Sequence, residues 1–156
     1  MESLEIVRAI PADAAELSLV SRAAKAHWGY SAAALEEWGE NLLVTSKFIA
    51  GNEVFKAIAG AQTVGFYALH RVKRVWRLEH LWVFPDWIGH GAGAALFRHA
   101  VARAAELGVT RLTIESDPNA EGFYLHMGAR RVGTLHTQME GKARELPLLE
   151  IPIAPA

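Results

Sequence analysis

Val83-Phe84-Pro85-Asp86-Trp87-Ile88-Gly89-His90-Gly91-Ala92-Gly93-Ala94-Ala95-Leu96 reads as a strand running into a turn, after which three glycines at alternate positions open a helix. Leu96, Ala100, Ala104 and Leu107 fall on one stripe of that helix, His99, Arg103 and Glu106 on the other, and Gly108 closes it. A helix start carries unpaired backbone N–H groups and the positive end of the helix dipole. Glycine lets an anion approach that backbone with no Cβ in the way. Each glycine also costs a helix about 1 kcal/mol against alanine, so three of them serve something other than helix stability. The backbone from Gly89 through His90, Gly91, Ala92 and Gly93 to Ala94, next to Ile88, is therefore read as an anion cradle suited to a pyrophosphate. A tight strand-to-helix turn without a ligand is the plain structural alternative.

On the N-terminal side, Leu4–Ile10 reads as a strand ended by Pro11, and residues 12–26 as a helix that Gly29 breaks. Ser31 caps a second helix to about Asn41, and Thr45 caps a short turn from Ser46 to Ala50. Strands follow at Val54–Ala59, Thr63–Val72 and Val75–Phe84, joined by links too short for a crossover and hence antiparallel. Beyond the glycine helix, Arg111–Glu115 is a strand, so Val75–Glu115 forms a βαβ unit. A short helix covers about Ala120–Met127, and strands near Arg130–Leu135 and Leu146–Ile153 finish the chain. The order β α α β β β α β α β β predicts a mixed α/β sheet with one central crossover, as a single domain over residues 1–156.

Composition narrows the function classes. The 156 residues carry 16 Lys and Arg against 17 Asp and Glu, a net charge of −1 that lacks the basic excess of a nucleic-acid binder. There is no cysteine, which excludes disulfides, thiolate zinc sites and a thiol nucleophile. The seven histidines show no metal-ligand spacing, and no metal is expected. No run approaches the roughly 18 apolar residues of a membrane span, and the acidic start lacks a signal-peptide core. No membrane association is expected, and the expected compartment is the cytoplasm.

Two cofactor classes fit the glycine loop. Gly89-His90-Gly91-Ala92-Gly93-Ala94 satisfies G-x-G-x-x-A, the dinucleotide fingerprint, with Glu115 or Asp117 as the ribose-binding acid. That fingerprint starts where its strand ends and belongs to a series of βαβ units, and this chain has room for one. The other class follows from two motifs. Val83-x-Pro85-x-x-Ile88-Gly89-x-Gly91-x-Gly93 resembles motif A of the GNAT acyltransferase superfamily, Q/R-x-x-G-x-G/A. Asp117-Pro118-Asn119-Ala120-Glu121-Gly122-Phe123-Tyr124-Leu125-His126-Met127-Gly128-Ala129 resembles its motif B. The element order is also the GNAT order, so the resemblance covers nearly the whole chain. One departure is Ile88, which stands at the Gln/Arg position of motif A, and His90 offers a partial positive charge in its place.

The resemblance implies direct transfer of an acetyl group from acetyl-CoA to an amine, with the pantetheine arm held by backbone of Leu81, Trp82 and Val83 where the central parallel strands splay. An attacking amine must lose a proton. Glu79 is the base the resemblance implies, with His80 or a water relay as alternatives, and pairing of Glu79 with Arg74 or Arg77 as its structural reading. Strand alternation sets Glu79 on a face with Arg77, Leu81 and Val83, and His80 on the other with Leu78 and Trp82. Burial of Glu79 on this apolar strand would raise its basicity. Tyr124 matches the motif B tyrosine that faces the CoA sulfur as acid. Asn119 matches the asparagine near the pantetheine arm, and is also an expected cap for its short helix. His27, Trp28 and Tyr30 lie where the family builds its acceptor lid, with Trp38, Phe48, Tyr67 and Trp82 as further aromatic walls. The basic run from His70 to Arg77 is either an attractor for an acidic acceptor or a solvated hairpin. Homodimers through the last strands are compatible with Leu148, Leu149 and Ile151. A CoA-binding protein of the same fold without turnover is the alternative function.

Overall fold

The computed structural model describes residues 3–156. Its elements are β1 (Leu4–Arg8), α1 (Ala14–His27), α2 (Ala32–Glu37), α3 (Gly39–Leu42), α4 (Ser46–Gly51), β2 (Glu53–Ala59), β3 (Gln62–Val72), β4 (Val75–Val83), α5 (Ala92–Glu106), β5 (Arg111–Glu115), α6 (Glu121–His126), β6 (Arg130–Met139) and β7 (Lys142–Pro152). The seven strands form one mixed sheet in the order β1-β2-β3-β4-β5-β7-β6. This is the predicted mixed α/β architecture. Local chemistry explains most boundaries. The Ser31 hydroxyl accepts from the Ala34 N–H (3.1 Å), and the Thr45 hydroxyl from the Phe48 N–H (3.0 Å). Three short 3₁₀ turns, each opening on a proline, lead into α1, the glycine loop and α6.

Each sheet face has its own core. On one, Leu96, Phe97, Ala100 and Ala104 of α5 bury against Leu78, Leu112, Ile114 and Leu149. On the other, Leu17 and Val20 of α1 and Ile49 of α4 bury against Val54, Phe66 and Ala68. Close packing of α5 demands a glycine in β3: a Cβ on Gly65 would stand 2.6 Å from the Trp82 carbonyl oxygen and 3.1 Å from Leu96.

Three expectations need correction. The helix expected over residues 32–41 breaks at Trp38 into α2 and α3, where Gly39 disfavours continuation and the Trp38 ring turns edge-on to Tyr30 (centroids 4.9 Å apart). The last two strands are longer than expected, because Glu140 and Gly141 both adopt positive φ (53° and 75°) and join β6 to β7 in a two-residue hairpin turn. Their added arms are largely exposed and carry no apolar alternation to be read. Third, of the residues offered for pairing through the last strands, Leu149 and Ile151 are buried in the core, because β7 lies inside the sheet and β6 forms its edge.

The features that shape the site lie in β4. It pairs in parallel with β5 at only two positions, Trp76 with Leu112 and Arg77 with Thr113, after which the two strands diverge. On its other side, β3 residue Ala68 pairs with His80 and Leu69 with Leu78, so Glu79 is the extra residue of a β-bulge. The bulge interrupts alternation. Leu78 and Leu81 pack toward α5, while His80 lies against Phe48 and Phe66 on the opposite face. Leu78 and His80 therefore do not share a face as simple alternation predicts, whereas His80 and Trp82 do.

Candidate functional site

Where β4 and β5 part, the sheet opens into a cleft of about 590 Å³. The glycine loop forms one end. Gly89 and Gly91 both sit at φ +84°, a left-handed conformation that side chains disfavour, and Gly91 is the residue from which α5 starts. Within α5 the Ala95 N–H is bonded to the Gly91 carbonyl (3.0 Å), so the amides of Ala92, Gly93 and Ala94 precede the first helical bond. Gly89, Gly91, Gly93, Ala94 and the half-exposed Ile88 line the cleft. Ala92 does not, because its methyl is buried in the core. His90 does not line it either: its N–H bonds to the Trp87 carbonyl (3.3 Å) and its ring lies edge-on to Trp87, so it adds neither amide nor charge to the cradle. A cation that sequence reasoning missed, Arg98, lies one turn further along α5, lines the cleft and has no ion-pair partner among the described residues.

Leu81, Trp82 and Val83 also line the cleft. Their backbone pairs with Tyr67, Phe66 and Gly65 of β3 and has no strand partner on the β5 side. That open edge supplies the free donors and acceptors an extended amide-bearing arm would need.

Glu79, at the bulge, lines the cleft and is exposed rather than buried as expected on this strand. It makes no ion pair among the described residues. Arg77, the expected partner, pairs instead with Glu115. His80 is buried, lies off the cleft and accepts the Trp82 indole N–H at Nδ1 (2.9 Å). Burial, with a smaller effect from His70, pulls its pKa down to about 4. Tyr124 lines the cleft with 7% exposure, and burial, aided by Asp117, pushes its phenol well above the usual tyrosine range. Its hydroxyl has no hydrogen-bond partner among the described residues and is not sealed from the cleft.

At the other end stands a cluster that sequence reasoning did not assemble. Lys25 of α1, Asp117 after β5 and Arg144 of β7 all line the cleft. Lys25 pairs with Asp117, and Arg144 approaches the same carboxylate at 3.5 Å. The Tyr30 hydroxyl donates to Asp117 (2.9 Å) and accepts from Arg144 (2.5 Å). Asn119 donates to Asp117 from its backbone N–H (2.8 Å) and its side-chain amide (2.9 Å), so Asp117, not Asn119, caps the turn before α6. Burial opposes the charge on Asp117, but hydrogen bonds from Lys25, Asn119 and Tyr30 outweigh it and hold the carboxyl below its ordinary range. Burial pushes the Lys25 ammonium down, against the upward pull of Asp117. Burial and Asp117 push the Tyr30 phenol up to about 12.

Of the expected lid residues, Trp28 lines the cleft, Tyr30 stands one layer behind it, and His27 is exposed on the outside. Trp82 lines the cleft and Trp38 backs the cationic cluster. Phe48 and Tyr67 do neither; the Tyr67 hydroxyl is bonded to His99 (2.7 Å) beneath α5. The basic run is a solvated hairpin around Lys73, whose φ is +58°. Glu115 and Asp117 are both engaged by cations, which leaves neither free for a ribose. No metal-binding group of three or more His, Asp or Glu side chains occurs among the described residues, and no helix there is long and apolar enough to cross a membrane.

Comparison with known proteins agrees with this geometry. A family model described as an acetyltransferase (GNAT) domain matches residues 17–142. A search of curated proteins finds no match. Among solved structures, a GCN5-related N-acetyltransferase from Rhodopseudomonas palustris superposes with a TM-score of 0.79 at 21% identity, over 97% of this chain and 96% of that one. PaiA N-acetyltransferase from Thermoplasma acidophilum, in complex with coenzyme A, gives 0.74 at 20% identity, over 96% and 99%. The ribosomal-protein-S18-alanine N-acetyltransferase from Escherichia coli gives 0.72 at 18% identity, over 99% and 96%. At these identities the structures speak to the fold alone.

Proposed function

This chain belongs to the GNAT acetyltransferase family, and on that premise we propose that it moves an acetyl group from acetyl-CoA directly to a primary amine, as a one-domain cytoplasmic enzyme. The observation that carries the reading is the cleft at the β4–β5 opening, with the glycine loop at one end, open strand backbone in the middle and Tyr124 and Glu79 on its walls. The residues present fit acetyl-CoA. The amides of Gly93 and Ala94 would take the pyrophosphate, with Arg98 supplying the cation that Ile88 does not. The free edge of Leu81, Trp82 and Val83 would take the pantetheine amides.

Glu79 is the proposed base: it accepts the proton of the acceptor ammonium, directly or through a water, so that the nitrogen lone pair is free to attack the thioester carbonyl carbon. A C–N bond forms, the C–S bond breaks, the sulfur leaves with the electron pair, and the nitrogen gives up its second proton to solvent as the amide forms, which restores the proton balance once Tyr124 is reprotonated. The Tyr124 hydroxyl, held protonated by its burial, gives that sulfur a proton or a hydrogen bond. His80 is unsuited as base because it is off the cleft and a weak proton acceptor.

Titration calorimetry with acetyl-CoA, with NADH as control, is the first test, followed by thiol release with a panel of amines. Micromolar binding of acetyl-CoA alone is expected. Glu79→Ala should lower kcat by about 10²–10⁴-fold, and Tyr124→Phe by a smaller factor. Undiminished transfer by both variants would refute the role assignment. Binding without turnover of any amine would favour a silent CoA-binding protein, and binding of NADH in place of acetyl-CoA would overturn the proposal.

A further inference from the structure

The far end of the cleft holds more positive charge than its own carboxylate offsets. Lys25 and Arg144 share Asp117, and no other carboxylate among the described residues is within ion-pair distance of either. Their side chains are 11% and 12% exposed and that of Asp117 6%. Both cations are backed by aromatic faces: the Trp38 ring centre lies 4.6 Å from Lys25 Nζ and 4.8 Å from the Arg144 guanidinium, and that of Tyr30 at 4.8 and 5.1 Å. Glu115, two residues from Asp117, is already engaged by Arg77, and Glu145, next to Arg144 in the chain, lies by His136 instead. One unit of positive charge is thus left over in a place from which water is largely excluded, and buried charge is costly unless paired.

The lid is built around this charge. Tyr30 comes from the α1–α2 link, Trp38 from the α2–α3 break, and Arg144 from the β6–β7 hairpin. The tip of that hairpin is tied to α2, where the Glu140 N–H donates to Glu37 (2.9 Å). We propose that the acceptor amine carries a carboxylate, seated between Lys25 and Arg144 at the mouth of the Asp117 cluster, with its amine turned toward Glu79. This rests on the acetyltransferase reading and adds the substrate class. A single unmatched charge suits a monoanionic carboxylate better than a dianionic phosphate, and an arginine fork matches a carboxylate in geometry.

The test is thiol release from acetyl-CoA with the free amino acids, each against its own carboxamide. The carboxylates should react with kcat/KM at least tenfold above their amides. Arg144→Gln should raise KM for a carboxylate acceptor by roughly ten- to hundredfold, the worth of a charge-assisted hydrogen bond, and raise that of its amide by a clearly smaller factor, with the acetyl-CoA Kd in place. Arg144→Lys should recover part of the loss. Amides acetylated as well as acids, or both classes slowed equally by Arg144→Gln, would overturn the proposal and leave the acetyltransferase reading standing. If acetyl-CoA binds and no amine reacts, N-acetylated amino acids and their amides are titrated onto the CoA-bound protein, and equal or absent binding overturns it. Failure to bind acetyl-CoA at all removes the acetyltransferase reading and this proposal together.

Discussion

Asp117→Asn is nearly isosteric, yet it removes the charge and half the acceptor capacity of the most connected side chain in the cleft. The carboxylate takes hydrogen bonds from Lys25, Tyr30 and Asn119 and, among the described residues, is the one anion within ion-pair distance of Lys25 and Arg144. Its replacement leaves both cations buried and unpaired and turns one acceptor into a donor aimed at donors. Breaking a buried ion pair from one side costs about 3–5 kcal/mol. For a chain of this length each kcal/mol moves Tm by about 2–4 °C, so the expected fall is about 6–20 °C. Thermal and urea unfolding followed by circular dichroism and tryptophan emission would measure it, with Lys25→Met and the double variant completing a cycle. Lys25→Met removes one of the two cations left unpaired, so the double variant should lose less than the two single losses combined. A loss under about 1 kcal/mol, typical of an exposed pair, or strict additivity in the cycle, would refute the view that Asp117 is the electrostatic keystone of this end of the cleft.

Other perturbations separate cradle, strand and core. Gly65→Ala puts a methyl 2.6 Å from the Trp82 carbonyl and should cost about 1–3 kcal/mol; weaker acetyl-CoA binding is expected because β4 must shift. Gly51→Ala, with nothing within 4 Å of the new methyl, is its control and should be near neutral; equal behaviour of the two would sink the packing argument. Arg98→Ala should weaken acetyl-CoA about three- to tenfold, more at low salt, with Tm unchanged, as calorimetry and melting can show. His80 is held neutral in the fold, with a pKa of about 4 against 6.5. Between those values the unfolded chain binds a proton that the folded chain refuses. Stability should therefore fall as pH drops from about 6.5 toward 4, by roughly 3 kcal/mol in all. His80→Gln should flatten that slope in urea titrations across the window.

What could be read along the chain and what could not divides by range. The caps at Ser31 and Thr45, the prolines that open turns, the strand Arg111–Glu115 and the glycine loop depend on residues within a few positions of one another. Their chemistry is local, so pattern and propensity expose them. Motif spacing likewise marked Tyr124, Glu79 and the β4 backbone as site residues, and all of them line the cleft. The β6–β7 arms escaped because their pairing rests on a turn and a ladder rather than on an apolar face. The face of His80 was misread because a bulge is a mismatch between two strands, which neither strand carries alone. Lys25 and Asp117 meet across 92 positions, and Tyr30 and Arg144 across 114. Taken singly they read as a helix-end lysine, a turn aspartate and an arginine on an exposed arm. Sequence by itself determined the order of elements and the glycine-opened start of α5, since hydrogen-bonding and steric rules act between near neighbours. Tertiary structure alone decided where the sheet opens and which charges are buried together, because desolvation and pairing depend on what the folded chain brings within a few ångströms.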